Sequence, residues 1–435
     1  MKKTICYIVI CLCLSPYLLA EQYTLEQCIN TALQNNLQVR TQENDVQAQR
    51  LMYNQARQNL LPSVSGYASQ SWSWGRSTGV DNISRTQNIA NTGLGLNANI
   101  VLFDGLAMKY NIDKAKSQVD KSEATLNKIR LDISMNITAI YLQVLLNKEL
   151  EQVAQQQLDD THSKVERAQA LVDADRLAQG ELYTLQAQAS KEENSLIQAR
   201  NSTKLSLLDL AQAMELPFSD DFDITYSTLD FSLLAIPDNN EVYQKALNNR
   251  PEIKAAMYEI EAQKIALKST KSAYSPVLSL GAGVNTGYYH LYGASNASFG
   301  KQLGDNLSTN VGLNLTIPVF DRMQTPNSVK RQELAVSGAQ LQLEQAKQDL
   351  RKQIDQAYYN AVAAQSQQVS AEKALQSARE AFRYTEQKYE AGRSSTYEYF
   401  DAKQTLLKAQ SEELQAKYNR IFKLKILNYY TAEDN

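Results

Sequence analysis

Between Leu106 and Gln179 the chain runs for seventy-four residues without a glycine or a proline. Ala, Gln, Leu, Lys and Glu predominate, all strong helix formers, and the stretch predicts one very long helix. At 1.5 Å of rise per residue such a helix reaches roughly 110 Å, several times the average in a compact domain. Its apolar residues follow steps of three and four along two faces. Leu126, Ile129, Ile133, Ile137, Ile140 and Val144 form one set; Leu131, Met135, Leu142 and Leu150, with Thr138 and Leu146 counted in, form the other. A helix with one partner shows one stripe. Two stripes predict neighbours on both sides, as for a stave in a wall.

Only 16 Gly and 8 Pro punctuate 435 residues, which argues for few, long elements. A net charge of -3 offers no basic field for nucleic acid. Residues 1–20 read as a cleavable export signal: Lys2 and Lys3, an apolar run from Ile5 to Leu14, and a cleavage site after Leu18-Leu19-Ala20. Cys6, Cys11 and Cys13 leave with it, so Cys28 has no partner for an intramolecular disulfide. No cysteine follows the small residue of a lipoprotein signal, so no acyl anchor is expected. Beyond the signal no apolar run approaches the ~20 residues of a membrane-spanning helix.

The chain is duplicated. Residues 28–36 (Cys-Ile-Asn-Thr-Ala-Leu-Gln-Asn-Asn) resemble 242–250 (Val-Tyr-Gln-Lys-Ala-Leu-Asn-Asn-Arg), a shift of 214 that Pro62 and Pro276 share. Ile100-Val101-Leu102-Phe103-Asp104-Gly105 matches Ile317-Pro318-Val319-Phe320-Asp321-Arg322 at a shift of 217. Each half reads as an entry helix (21–61; 241–275), a Gly/Ser/Asn/aromatic segment (62–104; 276–321) and a long-plus-moderate helical pair (105–215; 322–430). A connector, 216–240, lies between the halves, and 431–435 is a tail.

The non-helical segments alternate with period two. Val311, Leu313, Leu315, Ile317 and Val319 oppose Asn310, Gly312, Asn314 and Thr316; the runs from Leu94 to Leu102 and from Leu278 to Tyr288 do the same. Val64–Trp74 is a weaker fourth strand in which Trp72 and Trp74 share a face. Strands of about ten residues, apolar on one side and small-polar on the other, match outer-membrane barrels. Tyr67, Trp72, Trp74, Tyr288, Tyr289 and Tyr292 lie at strand ends, where they fit a membrane-interface girdle against outer-membrane lipid. Four strands cannot close a barrel, and lipid does not tolerate open edges, so several chains must share one. Three chains give twelve strands.

With its duplicated Ile-x-x-Phe-Asp strand exits, its Ala-Leu-x-Asn-Asn and Ala-Leu-Asn-Asn-Arg-Pro-Glu entry helices, and Tyr389-Glu390-Ala391-Gly392 at the second hairpin turn, the chain resembles the TolC-like outer-membrane efflux proteins over residues 21–430. The resemblance implies a mostly α homotrimer in which long α-helical hairpins form a tunnel through the periplasm, continuous with a shared twelve-stranded β-barrel. It implies the exit duct of a tripartite efflux pump or type I secretion system, docked to a periplasmic adaptor and an inner-membrane transporter. Glu398 and Asp401 match the carboxylates that ring the aperture, and Glu181 and Tyr389 match contacts that hold neighbouring hairpins closed. Asp175, Arg176, Leu177, Gly392, Arg393 and Ser394 fall at the adaptor-facing tips. Two departures stand out: Asp175 where the first turn usually has glycine, and Ser394 where a basic residue is common, with Arg393 one position earlier.

The residues also admit blander roles. Ser395-x-x-Glu398 is a capping box, and acids are favoured at any helix N-terminus. Glu181 and Tyr389 also read as an exposed acid and a packing ring. Enzyme chemistry has no support: two histidines, His162 and His290, without metal spacing, no phosphate loop and no nucleophile elbow, so neither cofactor nor metal is expected. A coiled-coil fibre or adhesin would need a single seam, and a periplasmic adaptor one hairpin with compact β domains. The cargo, whether drug, metal or protein, is not written in the sequence.

Overall fold

The computed structural model describes residues 22–78, 82, 84–225 and 235–431. The export signal, its cleavage site and the 432–435 part of the tail lie outside these residues, as does 226–234 of the connector. The chain divides into two compact units. One comprises the residues up to Arg40, Lys128–Asn249 and those from Leu350 on; the other comprises Thr41–Asn127 and Arg250–Asp349.

The first half runs β1 (Gln22–Tyr23), α1 (Leu25–Asn35), α2 (Leu37–Gln58), β2 (Ser63–Thr78), β3 (Ser84–Phe103), α3 (Ala107–Asp173) and α4 (Gln179–Ala213). After β4 (Asp223–Ile224) the second runs α5 (Asn239–Asn249), α6 (Pro251–Lys271), β5 (Val277–Leu291), α7 (Phe299–Asp305), β6 (Ser308–Thr316), α8 (Gln324–Glu390) and α9 (Thr396–Thr431). Each entry helix, read from sequence as continuous, is broken once, at Asn36 and at Arg250. These positions are related by the 214-residue shift, and both take an extended ψ of 127°. The means differ. Asn36 turns its side chain onto the N–H groups of Gln38 and Val39, capping α2. Arg250 is driven from the helical region by Pro251, which then opens α6.

In the unit of Thr41–Asn127 and Arg250–Asp349, a four-stranded antiparallel sheet has the order β2-β3-β5-β6. Its register places Val64, Ala68, Leu94, Leu96, Leu280, Val284, Val311 and Leu313 on one face. The other face carries Ser65, Asn97, Asn285, Asn310 and a row of glycines. Trp72, Trp74 and Tyr288 share the apolar face, but Tyr67 and Tyr289 do not. By the same alternation they stand on the polar face, where the Tyr67 hydroxyl donates to Asn285 Oδ1 at 3.1 Å. A girdle assigned by residue type therefore holds by parity for three of the five members that lie within strands, Tyr292 falling just past the end of β5. Strand β6 stops at Thr316, ahead of Pro318, which has no N–H to donate to a ladder.

Above the end of β6 the edge of β5 is covered by side-chain amides. Gln302 accepts from Tyr289 N–H and donates to Tyr289 O, and Asn296 does the same for Leu291. Asn306 donates to Gly287 O. The amides stand in for a missing strand. Beneath the sheet the helices keep the strand order: α2 meets α3 through Gln42 and Ser122 (3.1 Å), α3 meets α6 through Lys121 and Glu259 (2.9 Å), and α6 meets α8 through Gln263 and Gln332 (2.7 Å).

Strand-to-helix passage repeats at the 217 shift. Asp104 accepts from Met108 N–H at 2.8 Å, and Asp321 from Thr325 N–H at 2.7 Å. Each is followed by two left-handed residues, Gly105 and Leu106 or Arg322 and Met323. The Thr325 hydroxyl and N–H hold the Asp321 carboxyl below the usual range.

In the other unit, the later part of α3 has neighbours on both sides. On one side Asn147 donates to Ser202 O of α4 (3.2 Å), and on the other Glu149 accepts from the Tyr418 hydroxyl of α9 (2.5 Å). Ile133, Ile137, Leu142 and Val144 are buried, and no member of either stripe is exposed. One segment of α3 is apolar enough by composition to cross a membrane, which the sequence reading did not single out. Its packing between α4 and α9 accounts for that apolarity. The parallel pair β1–β4 adds to this core, with Tyr141 donating to Thr225 O and Lys148 paired with Asp223. Cys28 is a core residue, its thiol pushed up to about 12 by burial.

Candidate aperture site

The tips of the helical pairs belong to one unit and are built by two copies of one turn. After α3, Asp175 N–H bonds Val172 O (2.9 Å) and Arg176 N–H bonds Leu171 O (2.8 Å). After α8, Gly392 N–H bonds Tyr389 O (3.0 Å) and Arg393 N–H bonds Lys388 O (2.8 Å). Both are Schellman closures with a left-handed residue after the helix: φ is 53° at Asp175 and 67° at Gly392. The two residues are 217 apart, so the duplication extends to the tips. Aspartate tolerates this region and glycine prefers it. Asp175→Gly should therefore raise thermal stability slightly, while Gly392→Ala should cost about 1–2 kcal/mol. Melting curves of the two variants should move in opposite directions.

The tip residues do not all point outward. Asp175, Arg176, Gly392 and Arg393 are exposed. Leu177 instead packs against Ala168, Leu182 and Leu185, with Val165, Val172 and Phe400 around them. Half-buried, it packs into the α3–α4 turn. Ser394 is half-buried and donates to Glu398 Oε2 at 2.6 Å.

Glu398 forms the capping box: its Oε2 accepts from Ser395 N–H (3.1 Å), and Ser395 Oγ accepts from Glu398 N–H (3.2 Å). The Ser394 hydroxyl, then the Ser395 N–H, hold its carboxyl below the usual glutamate range. Asp401, one turn on, is exposed and carries no such duty; only its backbone oxygen is engaged, by Thr405.

Glu181 and Tyr389 line one cavity of about 350 Å³, but they do not bond within the chain. Glu181 accepts from the Thr396 hydroxyl, at the first residue of α9. Tyr389 lies against the Tyr399 ring with centroids 4.8 Å apart. Spacing alone could not show that Thr396, buried on the inner side of α9, sits nearer the carboxylate.

Further into the helices lies a polar cluster absent from the sequence reading. Lys164 of α3 bonds Tyr399 and approaches Glu386 at 3.4 Å. Lys403 of α9, Thr161 of α3 and Glu192 of α4 are buried together. A signal existed: Leu182, Leu185, Ala189, Glu192 and Leu196 advance by threes and fours, so Glu192 occupies an apolar seam. Among the described residues, no group of three or more His, Cys, Asp or Glu side chains could hold a metal ion.

Against known proteins, residues 28–215 and 242–427 match the outer membrane efflux protein family, one match to each repeat. The Brucella suis outer membrane efflux protein BepC is 22% identical over 79% of this chain and 73% of its own length. Toxin and drug export protein A of Aggregatibacter actinomycetemcomitans is 23% identical over 91% of this chain and 83% of its own. A solved structure of CusC superposes with a TM-score of 0.78 at 17% identity, covering 95% of this chain and 93% of that one. With both repeats matched and the fold shared, the chain belongs to the outer membrane efflux protein family.

Proposed function

We propose that this chain is exported and assembles as a homotrimeric outer-membrane exit duct, the last component of a tripartite pump or secretion system. The observation that carries the reading is the four-stranded sheet. It is apolar on one face and Asn, Ser and Gly on the other, with β2 and β6 as edges that no described strand covers. Exposed Trp72, Trp74, Val311, Leu313 and Leu315 are costly in water and at home in lipid. Edges in lipid must be paired, so β6 of one copy takes β2 of the next. Three copies close twelve strands, and the helical hairpins of the three copies form a tunnel in the periplasm.

The exposed tip residues Asp175, Arg176, Gly392 and Arg393 meet a periplasmic adaptor, and through it an inner-membrane transporter. Glu398 and Asp401 of three copies form an acidic ring, a barrier that favours cations. Among the relatives, one is named for toxin and drug export, and the cargo of this chain is assigned by its pump partner.

Size measurement of the purified protein followed by single-channel recording tests the proposal. A trimer with a small, cation-selective conductance is the expected result. Another stoichiometry, or a large unselective pore, would refute it.

A further inference from the structure

Helix α9 is fastened to α3 and α4 by a buried ammonium. Lys403 is 4% exposed; its Nζ donates to Thr161 Oγ1 at 2.7 Å and lies 3.6 Å from Glu192 Oε1. Glu192, also 4% exposed, accepts on that oxygen from Gln157 of α3 (2.8 Å) and Gln188 of α4 (2.7 Å). Its Oε2 is buried with no hydrogen-bond partner.

As a stabilising device this is poor. A buried pair whose geometry leaves one oxygen unmet is often no better than apolar residues of the same size. What a polar pair in an apolar seam does supply is register. Glu192 interrupts the run Leu182, Leu185, Ala189, Leu196, and Lys403 continues the buried series Thr396, Tyr399. Apolar seams slide and rotate at small cost, whereas an ammonium withdrawn from Thr161 and Glu192 loses both partners at once.

The rotation of α9 matters because of what lies on its other side. At about 100° per residue, Asp401 points roughly 200° away from Lys403 and Glu398 roughly 140° away. Both are exposed. We propose that Lys403 is a positioning residue: its bonds to Thr161 and Glu192 fix the rotation of α9 about its own axis, and so aim Asp401. The inference rests on the channel reading above for its consequence, but its geometry does not.

Charged groups face Lys403 from every neighbour: Asp160 and Lys164 on α3, Glu192 on α4, and Glu386 of α8 across a cleft of about 500 Å³. Burial pulls the Lys403 amine below the usual lysine range, and Glu192 pushes back. The cleft gives the amine somewhere to go once a partner is removed.

The test uses the full assembled protein carrying Asp401→Cys, with and without Lys403→Met. The rate of modification by a charged methanethiosulfonate is taken against the parent protein, in which buried Cys28 is unreactive. Lys403→Met should leave the assembly intact and change the rate at position 401 at least threefold, and Lys403→Arg should restore it. An unchanged rate in well-assembled Lys403→Met overturns the proposal.

Should that variant not assemble, Glu192→Gln keeps the side-chain shape and should shift the rate in the same sense; no shift there also overturns it. Lys403→Met in the native background should in addition lower the cation-to-anion permeability ratio several-fold. If the rate changes while the wild-type channel shows no cation preference, the acid ring is wrong and the positioning role stands.

Discussion

Gly105→Ala is expected to destabilise the protein by about 3 kcal/mol, read as a lower melting midpoint and less assembled protein in the outer membrane. Two costs combine. Gly105 has φ +68°, where an L-residue costs about 1–2 kcal/mol. An added Cβ would also stand 2.5 Å from Ser275 Cβ, 2.7 Å from Ser275 Oγ and 2.9 Å from Ser272 O. The last is a backbone atom that cannot swing aside, and overpacking of this kind costs a further 1–3 kcal/mol or so. The Ser272 hydroxyl donates to Gly105 O at 2.8 Å, so the backbone cannot easily retreat.

The duplication supplies the control. Arg322 holds the same place in the second repeat with φ 55° and an exposed side chain, so the left-handed backbone alone does not demand glycine there. Arg322→Ala should shift stability by less than about 0.5 kcal/mol. Ser275→Gly removes two of the three clashing atoms and should partly rescue Gly105→Ala, a coupling readable in a double-mutant cycle. A Gly105→Ala protein that melts with the wild type would refute the contact argument.

The pairing of Gly105 with Arg322 marks where sequence was informative. A shift of 217 read from the Ile-x-x-Phe-Asp motifs also relates the two aspartate caps and the two tip turns, because each is a local backbone device with its own residue chemistry. Periodicity likewise exposed both stripes of α3 and the two faces of the sheet. What it did not expose were choices made in three dimensions. Tyr67 and Tyr289 were grouped with the tryptophans by type, although period two already placed them on the other face. Leu177 lies in the tip turn, and only the fold shows the apolar cluster it packs against. Thr396 as the partner of Glu181 is 215 residues distant, and nothing local signals it. Glu192 and Lys403 are legible as charges inside seams, but their meeting across α4 and α9 is settled only by the fold.

Asp401→Asn is expected to reduce the cation-to-anion permeability ratio by about five- to tenfold while leaving the melting midpoint in place. A carboxylate about 4 Å from a passing ion is worth between ~1 kcal/mol in bulk water and ~4 kcal/mol near a protein surface. A tenfold change in the ratio requires about 1.4 kcal/mol, which falls within the range of a single such interaction, so the loss of three copies from a narrow ring covers it. Stability should not respond, because the side chain is exposed and only the backbone of Asp401 is bonded.

Glu398 should behave in the opposite way. Its carboxylate is folded onto Ser394 and Ser395 at the positive end of α9, which partly neutralises it toward the pore. Glu398→Ala should lower the melting midpoint through the lost capping box and move selectivity less than Asp401→Asn does. The pH sign follows from the same bonds. A carboxyl held below its unfolded value contributes its capping stability at neutral pH and loses it as pH falls through the lowered folded value. In Asp401→Asn, the residual cation preference should therefore persist to a pH below that of an ordinary glutamate. Recordings of the two single variants in low and high salt decide the matter, since screening weakens a charge ring at high ionic strength. Equal loss of selectivity in both would mean that the cap does not restrain Glu398, and loss in neither would remove both residues from the aperture.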